Sequence, residues 1–181
     1  MANLSVPFVN DRQRKELWCW AAVAANVYNS ALELHDDAKK QQCEVVQAVH
    51  GGEPCKESAD SNQLGTADEG LEALHMRADL PDGNVSLEFL VDQLTPVAPS
   101  LIGKPVCAQI LWQNGSRHFV VVSGVDPATQ TVFVEDPYHG GPENTLEYRF
   151  SEFVHHYRAQ SNGTGTGTVR TFQKVNRRPL P

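Results

Sequence analysis

The sequence predicts an α+β fold, in which an N-terminal group of helices is followed by an antiparallel sheet. Apolar residues recur at steps of three and four in the first half of the chain, which is the spacing of amphipathic helices. The second half carries runs of β-branched residues separated by turn signals. With 181 residues, 40% of them hydrophobic, and no repeat or linker, we expect a single domain over 1–181. Its helical part is expected at about 17–95 and its sheet part at about 105–175.

The first predicted helix runs from about Trp18 to Leu34 and contains neither glycine nor proline. Its many alanines indicate that a neighbouring element packs closely against it, because small side chains permit a short approach between backbones. Three further helices are expected: Gln41–His50, ended by Gly51-Gly52; Ala67–His75; and one that starts at Ser86 as N-cap and ends before Pro96.

The strands are predicted from β-branched runs, and the turns between them from Gly, Asn and Asp. Turn signals lie at Asn114-Gly115-Ser116 and at 126–130, and 162–168 is expected to be a loop. Ser151 is expected to cap a short helix that runs through Tyr157. The expected strands are Val106–Trp112, His118–Val122, Thr131–Glu135, Asn144–Phe150 and Val169–Val175.

Charge and hydropathy argue against two classes of partner. The formal net charge of −7 is unsuited to nucleic acid, whose phosphates need a positive surface, and no zinc-finger, RNP or phosphate-loop pattern is present. No apolar run reaches the ~20 residues of a membrane span, and the N-terminus does not resemble a Sec-type signal peptide. We expect no nucleic-acid or membrane partner, and a location in the cytoplasm or outside the cell after secretion without a Sec-type signal.

The sequence has four cysteines: Cys19, Cys43, Cys55 and Cys107. Their spacing contains no C-x-x-C pair and no zinc-site pattern. Reduced thiols are the expected state, and a bridge between Cys43 and Cys55 is the alternative in an oxidising compartment. The adjacent pair His155 and His156 lies on a predicted helix, where neighbouring side chains point in different directions. The sequence therefore predicts no metal site and no cofactor.

Cys19 stands at the beginning of the first predicted helix, between Trp18 and Trp20. The N-terminus of a helix presents N–H groups and a partial positive charge, and both favour the thiolate, the nucleophilic form of cysteine. Gln13 precedes Cys19 by six residues. A side-chain amide and the backbone N–H of the nucleophile can together stabilise the oxyanion formed in acyl transfer. A small buried cysteine and a solvated glutamine are the structural alternatives.

His118 begins one predicted strand, and Asp136 follows the next strand along the chain. The turn between them is centred near residue 128, and opposed residues in an antiparallel hairpin have numbers with a constant sum. His118 is therefore expected opposite a position between 136 and 138, with Asp136 across from it or on the diagonal. A carboxylate there would hold the imidazole tautomer and stabilise the imidazolium, as a cysteine–histidine pair requires.

Four segments together resemble a known family. They are Gln13, Cys19-Trp20-Ala21-Ala22, His118 with the seven residues after it, and Val134-Glu135-Asp136-Pro137. In this combination they resemble the papain superfamily, and most closely two branches, the double-glycine leader peptidases and the papain-like effector proteases of plant-pathogenic bacteria. The run Ile102-Gly103-Lys104-Pro105-Val106 is similar to the same branches. The resemblance covers about Gln13 to Phe153.

The resemblance implies a papain-like fold, with the nucleophile on a central helix packed against the sheet. It implies a cysteine-type peptidase that hydrolyses a polypeptide through an acyl-enzyme thioester. Cys19 would attack, His118 would transfer the proton, Asp136 would orient His118, and Gln13 would help to hold the oxyanion.

Other functions remain open on the same residues. A thioester can also pass its acyl group to an amine or arise in deamidation, so an acyltransferase, a deamidase or a toxin-effector domain acting on a host or competitor protein is the first alternative. A non-catalytic papain-like binding module is the second. The expected partners are a polypeptide substrate and a protein inhibitor or immunity protein.

Overall fold

The structure of the chain is a computed structural model that describes residues 3–32, 39–56, 61–79, 85–96, 103–141, 144–157 and 166–177. Within these residues the chain forms five helices and seven strands, and their order confirms the predicted α+β class. In chain order they are β1 (Leu4–Ser5), α1 (Cys19–Leu32), α2 (Gln42–His50), α3 (Ala67–Ala73), β2 (Met76–Asp79), α4 (Leu87–Leu94), β3 (Val106–Trp112), β4 (Arg117–Asp126), β5 (Thr131–Glu135), β6 (Thr145–Arg149), α5 (Phe150–His156) and β7 (Gly167–Arg177).

The strands of the described residues join in one antiparallel sheet. Their order across the sheet is β2-β7-β3-β4-β5-β6, and the short β1 pairs with β4 outside this path. Leu4 of β1 lies opposite Val125, near the C-terminal end of β4. The opposite end of β4 carries His118, and that end of the sheet is where the candidate site lies.

Helices cover both faces of the sheet. Because successive strand residues point to opposite faces, Phe119 and Val121 pack with α1, α2 and α3, whereas Val120 and Val122 pack with α4 and α5. Helix α4 belongs to the predicted helical part of the sequence, but it lies on the face opposite α1. His118 shares the strand parity of Val120 and Val122, which places it on the side of the sheet that α5 covers.

Helix α1 makes the close contact that its alanines predict. Ala24 is fully buried, and a Cβ added at Gly70 of α3 would lie 2.8 Å from the Cβ of Ala24. The two helices can therefore approach only because position 70 has no side chain. The predicted end of α1 at Leu34 lies outside the described residues.

Helix α3 is shorter than predicted, because it ends at Ala73 and not at His75. His75 has a positive φ of 58°, which turns the chain out of the helix. The next four residues, Met76–Asp79, form β2 and pair with the C-terminal half of β7. This strand was not predicted from the sequence. None of the described helices is both long and apolar enough to cross a membrane.

The prediction that Ser151 caps the last helix is wrong. The N-cap of α5 is Arg149, and Ser151 lies within the first turn. The N–H of Phe150 donates to the carbonyl of Gln130, in the turn after β4, at 2.8 Å. This carbonyl therefore accepts a hydrogen bond from the first turn of the helix, where a capping side chain commonly does so. Most of the predicted loop at 162–168 lies outside the described residues, and its last part belongs to β7.

The expectation of reduced thiols is wrong for two of the four cysteines. Cys43 of α2 and Cys55 form a disulfide, with their Cα atoms 5.0 Å apart, which was the alternative given by the sequence. Cys19 and Cys107 are free and buried. The disulfide ties the segment after α2 back to the start of that helix.

Candidate active site

Cys19 is the first residue of α1. The carbonyl of Trp18 accepts the first helical hydrogen bond, from Ala22 N–H at 2.9 Å, and Cys19 is 8% exposed. The indole N–H groups of Trp18 and Trp20 donate to backbone carbonyls in the segment 61–63. The two tryptophans that flank Cys19 are therefore buried braces, and they fix the beginning of the helix from which the sulfur projects.

His118 and Asp136 meet across the β4–β5 hairpin. Val121 pairs with Glu135 and Val122 with Val134, a register that puts Asp136 diagonally across from His118. The two side chains are in contact, with His118 Nε2 2.8 Å from Asp136 Oδ1. The register agrees with the one expected from the position of the turn, although the ladder shifts by one residue between Val122 and Gly124.

Asp136 is fully buried and accepts three hydrogen bonds. Besides His118, the backbone N–H of Tyr138 donates to Oδ1 at 2.8 Å, and the hydroxyl of Tyr157 donates to Oδ2 at 2.6 Å. Burial alone would raise the pKa of this carboxyl group. The charge and hydrogen bond of His118, with the bonds from Tyr157 and Tyr138, outweigh burial and lower the pKa of Asp136, so the group stays ionised.

His118 lies between the carboxylate and the thiol. Its Nε2 faces Asp136, and the Cys19 side chain lies close enough to act on the pKa of the ring. Burial lowers the pKa of His118, but the charge and hydrogen bond of Asp136, followed by the interactions with Cys19, raise it to about 10. The arrangement can therefore hold an imidazolium between a thiolate and a carboxylate. The ring of Trp112 stacks near His118, with ring centroids 6.2 Å apart.

Gln13 lies in the segment before α1, but its amide group is already engaged. Nε2 donates to the carbonyls of Lys15 at 3.0 Å and Glu16 at 2.8 Å. Its Oε1 is buried and has no hydrogen-bond partner among the described residues. The backbone N–H of Gln13 donates to the carbonyl of Pro137 at 2.7 Å. The segment that carries Gln13 is thus joined to the loop that follows Asp136.

Three residues that support this group were not predicted from the sequence. Tyr157 bonds Asp136, Trp112 stacks on His118, and the side-chain amide of Asn10 donates to the Asp136 carbonyl at 3.2 Å. Trp112 could have been predicted by the same counting of paired strand positions that predicted Asp136. Ile110 pairs with His118, and Trp112 lies two residues further along the same strand. Tyr157 and Asn10 come from distant parts of the chain and carry no local signal.

The described residues contain no group of three His, Cys, Asp or Glu side chains that could hold a metal ion. The neighbouring rings of His155 and His156 lie 6.4 Å apart in an edge-on arrangement.

The sequence matches a peptidase family over part of its length. Residues 91–164 match the model of the Peptidase_C39 like family. The matched stretch includes His118 and Asp136 but does not include Cys19. None of the curated proteins compared with the chain matches it significantly.

Solved structures of cysteine peptidases share the fold of the chain. One is a double glycine motif protease from an AMS/PCAT transporter in complex with the leader peptide, with 15% identity, a TM-score of 0.56, and coverage of 96% of this chain and 94% of the other. Another is digestive procathepsin L 3 of Tenebrio molitor larval midgut, with 11% identity, a TM-score of 0.58, and coverage of 97% and 70%. A third is bromelain from Ananas comosus in complex with the E64 inhibitor, with 12% identity, a TM-score of 0.55, and coverage of 96% of this chain and 95% of the other. The fold is papain-like, as the sequence predicted.

Proposed function

We propose that the chain is a cysteine peptidase that cleaves a polypeptide with Cys19 as nucleophile, His118 as general base and acid, and Asp136 as the group that orients His118. The observation that carries the proposal is a buried imidazole whose Nε2 lies 2.8 Å from a buried carboxylate and which lies beside the cysteine at a helix start. The papain-like fold and the partial match to a peptidase family support the same reaction.

The proposed reaction has two stages, acylation of the enzyme and hydrolysis of the thioester. The thiolate of Cys19 adds to the carbonyl carbon of the peptide bond, and the backbone N–H of Cys19 stabilises the resulting oxyanion. Gln13 joins it by exchanging one of its two backbone acceptors for the oxyanion. The tetrahedral intermediate collapses, the C–N bond breaks, and His118 gives its proton to the leaving amine. A water molecule then loses a proton to His118, attacks the thioester and releases the acid, which restores the thiolate.

A polypeptide substrate is supported by one of the structural neighbours, which is a protease bound to a leader peptide. The substrate of this chain is a separate proposal, because identity to that protease is 15%. The Cys43–Cys55 disulfide supports action in an oxidising compartment, which is the secreted alternative given by the sequence. A protein inhibitor or immunity partner remains a prediction, to be checked by co-purification from the native source.

The test compares the active protein with two variants on a cell lysate, with new N-termini identified by mass spectrometry. We expect Cys19→Ala to abolish the new N-termini, because no other described residue can supply the nucleophile at this position. We expect Asp136→Asn to keep a substantial part of the rate, since an amide oxygen can still accept from His118 Nε2.

The matched control is Cys107→Ala, which removes the other free cysteine. Burial, followed by the charge of Asp68, raises the pKa of Cys107 to about 12, so this thiol has no nucleophilic form near neutral pH and its loss should leave cleavage intact. Cleavage by Cys19→Ala at the wild-type rate would contradict the proposal. Repeating the reaction with an added amine distinguishes hydrolysis from acyl transfer, because transfer adds the mass of the amine to the product.

A further inference from the structure

We propose that Tyr157 is a positioning residue of this site, which holds the Asp136 carboxylate in the orientation and charge state that His118 requires. The inference rests on the proposed function, because positioning Asp136 matters to the reaction only if Cys19 and His118 carry it out. Nothing in the sequence pattern of the Cys, His and Asp segments points to this tyrosine.

The contacts at Asp136 divide between its two oxygens. Oδ1 accepts from His118 Nε2 and from the Tyr138 backbone, both at 2.8 Å, whereas Oδ2 accepts from the Tyr157 hydroxyl at 2.6 Å. Among the described residues, the tyrosine is therefore the partner that fixes Oδ2 and prevents rotation of the carboxylate plane. A hydrogen bond to an ionised group is stronger than one between neutral groups, so loss of the Tyr157 bond should raise the pKa of Asp136.

The hydroxyl of Tyr157 is held in place by its own surroundings. Its backbone exchanges two hydrogen bonds with Gly167, at 3.0 and 2.8 Å. Its ring packs against Trp112, Phe153 and Tyr148, with ring centroids 5.9, 5.7 and 5.3 Å away. Burial and then the neighbouring Asp136 raise the pKa of Tyr157 well above its ordinary value, so the phenol remains a donor over the working range of pH.

A hydroxyl can accept as well as donate, and this property explains how the site would accommodate an amide. In Asp136→Asn, the side-chain oxygen can keep the bonds from His118 and Tyr138, and the amide N–H can donate to the oxygen of Tyr157. Tyr157→Phe removes both options, because it leaves Oδ2 of the aspartate, or the N–H of the asparagine, without this partner.

The test is the rate at which iodoacetamide alkylates Cys19, measured by mass spectrometry of its peptide against pH, in the wild type and in Tyr157→Phe. This readout follows the cysteine–histidine ion pair and needs no known substrate. Without the tyrosine donor, protonation of Asp136 should occur at higher pH and should remove the counter-charge of the imidazolium. We expect the acid limb of the alkylation profile to move to higher pH, with a rate about tenfold below the wild type on that limb.

Two comparisons separate positioning from a loss of packing. Tyr28→Phe makes the same chemical change on a tyrosine of α1, which packs on the other face of the sheet, and should leave the profile where it is. In the Asp136→Asn background, Tyr157→Phe should produce no shift of the acid limb, because no carboxyl group remains there to titrate. A purely structural role would lower the rate by the same factor at every pH and in both backgrounds, and would overturn the proposal.

A second substitution keeps the proposal testable if Tyr157→Phe does not fold. Site-specific 3-fluorotyrosine at position 157 keeps the ring and makes the hydroxyl a stronger donor, so the acid limb should move in the opposite direction, to lower pH. An unchanged limb would overturn the proposal. Failure of the proposed function is a separate result, since it would be seen as cleavage by Cys19→Ala, whereas the alkylation profile reports on Tyr157 and Asp136 directly.

Discussion

The protonation of His118 is decided by two opposing effects on one buried ring. Burial removes water from the imidazolium and disfavours it, and Asp136 and Cys19 offer it negative partners. The partners prevail because the Asp136 carboxylate, which other donors hold in its ionised form, accepts a hydrogen bond from His118 Nε2 at 2.8 Å. The charged form of His118 is thus a property of the group of side chains and not of the histidine alone.

We expect His118 to remain an imidazolium well above neutral pH, because its pKa in the folded protein is raised to about 10 from an ordinary value of about 6.5. A raised pKa stabilises the folded state fully below about pH 6.5, and this contribution is lost as the pH rises through about 10. The free energy of unfolding should therefore fall between these values. Urea titrations of the wild type and of His118→Gln measure it, and the fall should be smaller in the variant. Ring nitrogen shifts that titrate near pH 6.5 would contradict the prediction.

Gln13 presents a conflict between its observed bonds and its proposed role. Both hydrogens of Nε2 are donated to the carbonyls of Lys15 and Glu16, so an oxyanion would have to replace one of these acceptors. The exchange is favourable in the transition state, because a developing negative charge accepts more strongly than a neutral carbonyl. We expect Gln13→Ala to lower kcat by about 10²-fold with little change in KM.

The control for Gln13 separates oxyanion binding from bracing of the loop. If the residue only braces residues 13–16, the variant should also alter the alkylation rate of Cys19 and the free energy of unfolding. An unchanged alkylation rate with a reduced kcat supports the oxyanion role. Gln63→Ala, at an exposed glutamine whose backbone holds Trp20, should change neither quantity.

At the scale of elements, sequence patterns predicted the parts of the fold whose determinants are local. The strands β3 and β5 have the predicted bounds, and α4 begins after Ser86, whose hydroxyl accepts from Phe89 N–H as an N-cap should. The contact between His118 and Asp136 was also local, since it depends on one turn. In contrast, β2 is four residues long and is defined by its pairing with β7, about a hundred residues later in the chain.

The same distinction between local and distant determinants explains why Tyr157 and Asn10 could not be predicted from the sequence. Tyr157 reaches Asp136 because α5 folds back over the face of the sheet that Val120 and Val122 share with His118. The sequence predicted the helix but carries no signal for the face on which it docks. Asn10 is a comparable case, because its position depends on a segment that crosses from β1 to α1 beside the loop after β5. Contacts of this kind become visible only in the assembled fold.

The approach of α1 and α3 at Ala24 and Gly70 leads to a prediction about stability. Gly70→Ala should gain about 1 kcal/mol of helix propensity, but its new Cβ would stand 2.8 Å from Ala24, and relieving such an overlap costs about 1–3 kcal/mol. We expect a net loss in the free energy of unfolding, measured by urea denaturation. Ala24→Gly should be less harmful in the Gly70→Ala background than in the wild type, and strictly additive effects would contradict this account.

At the scale of the whole molecule, the segment that carries Gln13 adds hydrogen bonds between the sheet and the helices α1–α3 that pack on it. On the sheet side, the backbone of Gln13 bonds Pro137, and Asn10 bonds Asp136. On the helical side, Gln42 at the start of α2 accepts from Arg14 N–H at 2.9 Å and donates to the Arg12 carbonyl at 2.8 Å. One side chain of α2 therefore holds both neighbours of Gln13.

The Cys43–Cys55 disulfide acts on this junction, because Cys43 follows Gln42 in the first turn of α2. A bridge across 12 residues should stabilise the folded chain by about 3 kcal/mol, mainly by restricting the unfolded state. We expect the double variant Cys43→Ser/Cys55→Ser to lose about this free energy of unfolding. Because a looser α2 would release Gln13 as well, we expect its kcat to fall while the alkylation of Cys19 stays near the wild-type rate.

Reductant provides the matched control for the disulfide. Reduction should lower the urea midpoint of the wild type to that of the double variant, and the variant itself should not respond. Equal stability of oxidised and reduced wild type would show that the bridge contributes nothing to folding. A fall in stability with kcat unchanged would separate the two claims. The disulfide would then stabilise α2 and its surroundings, but it would not act through Gln42 on the position of Gln13.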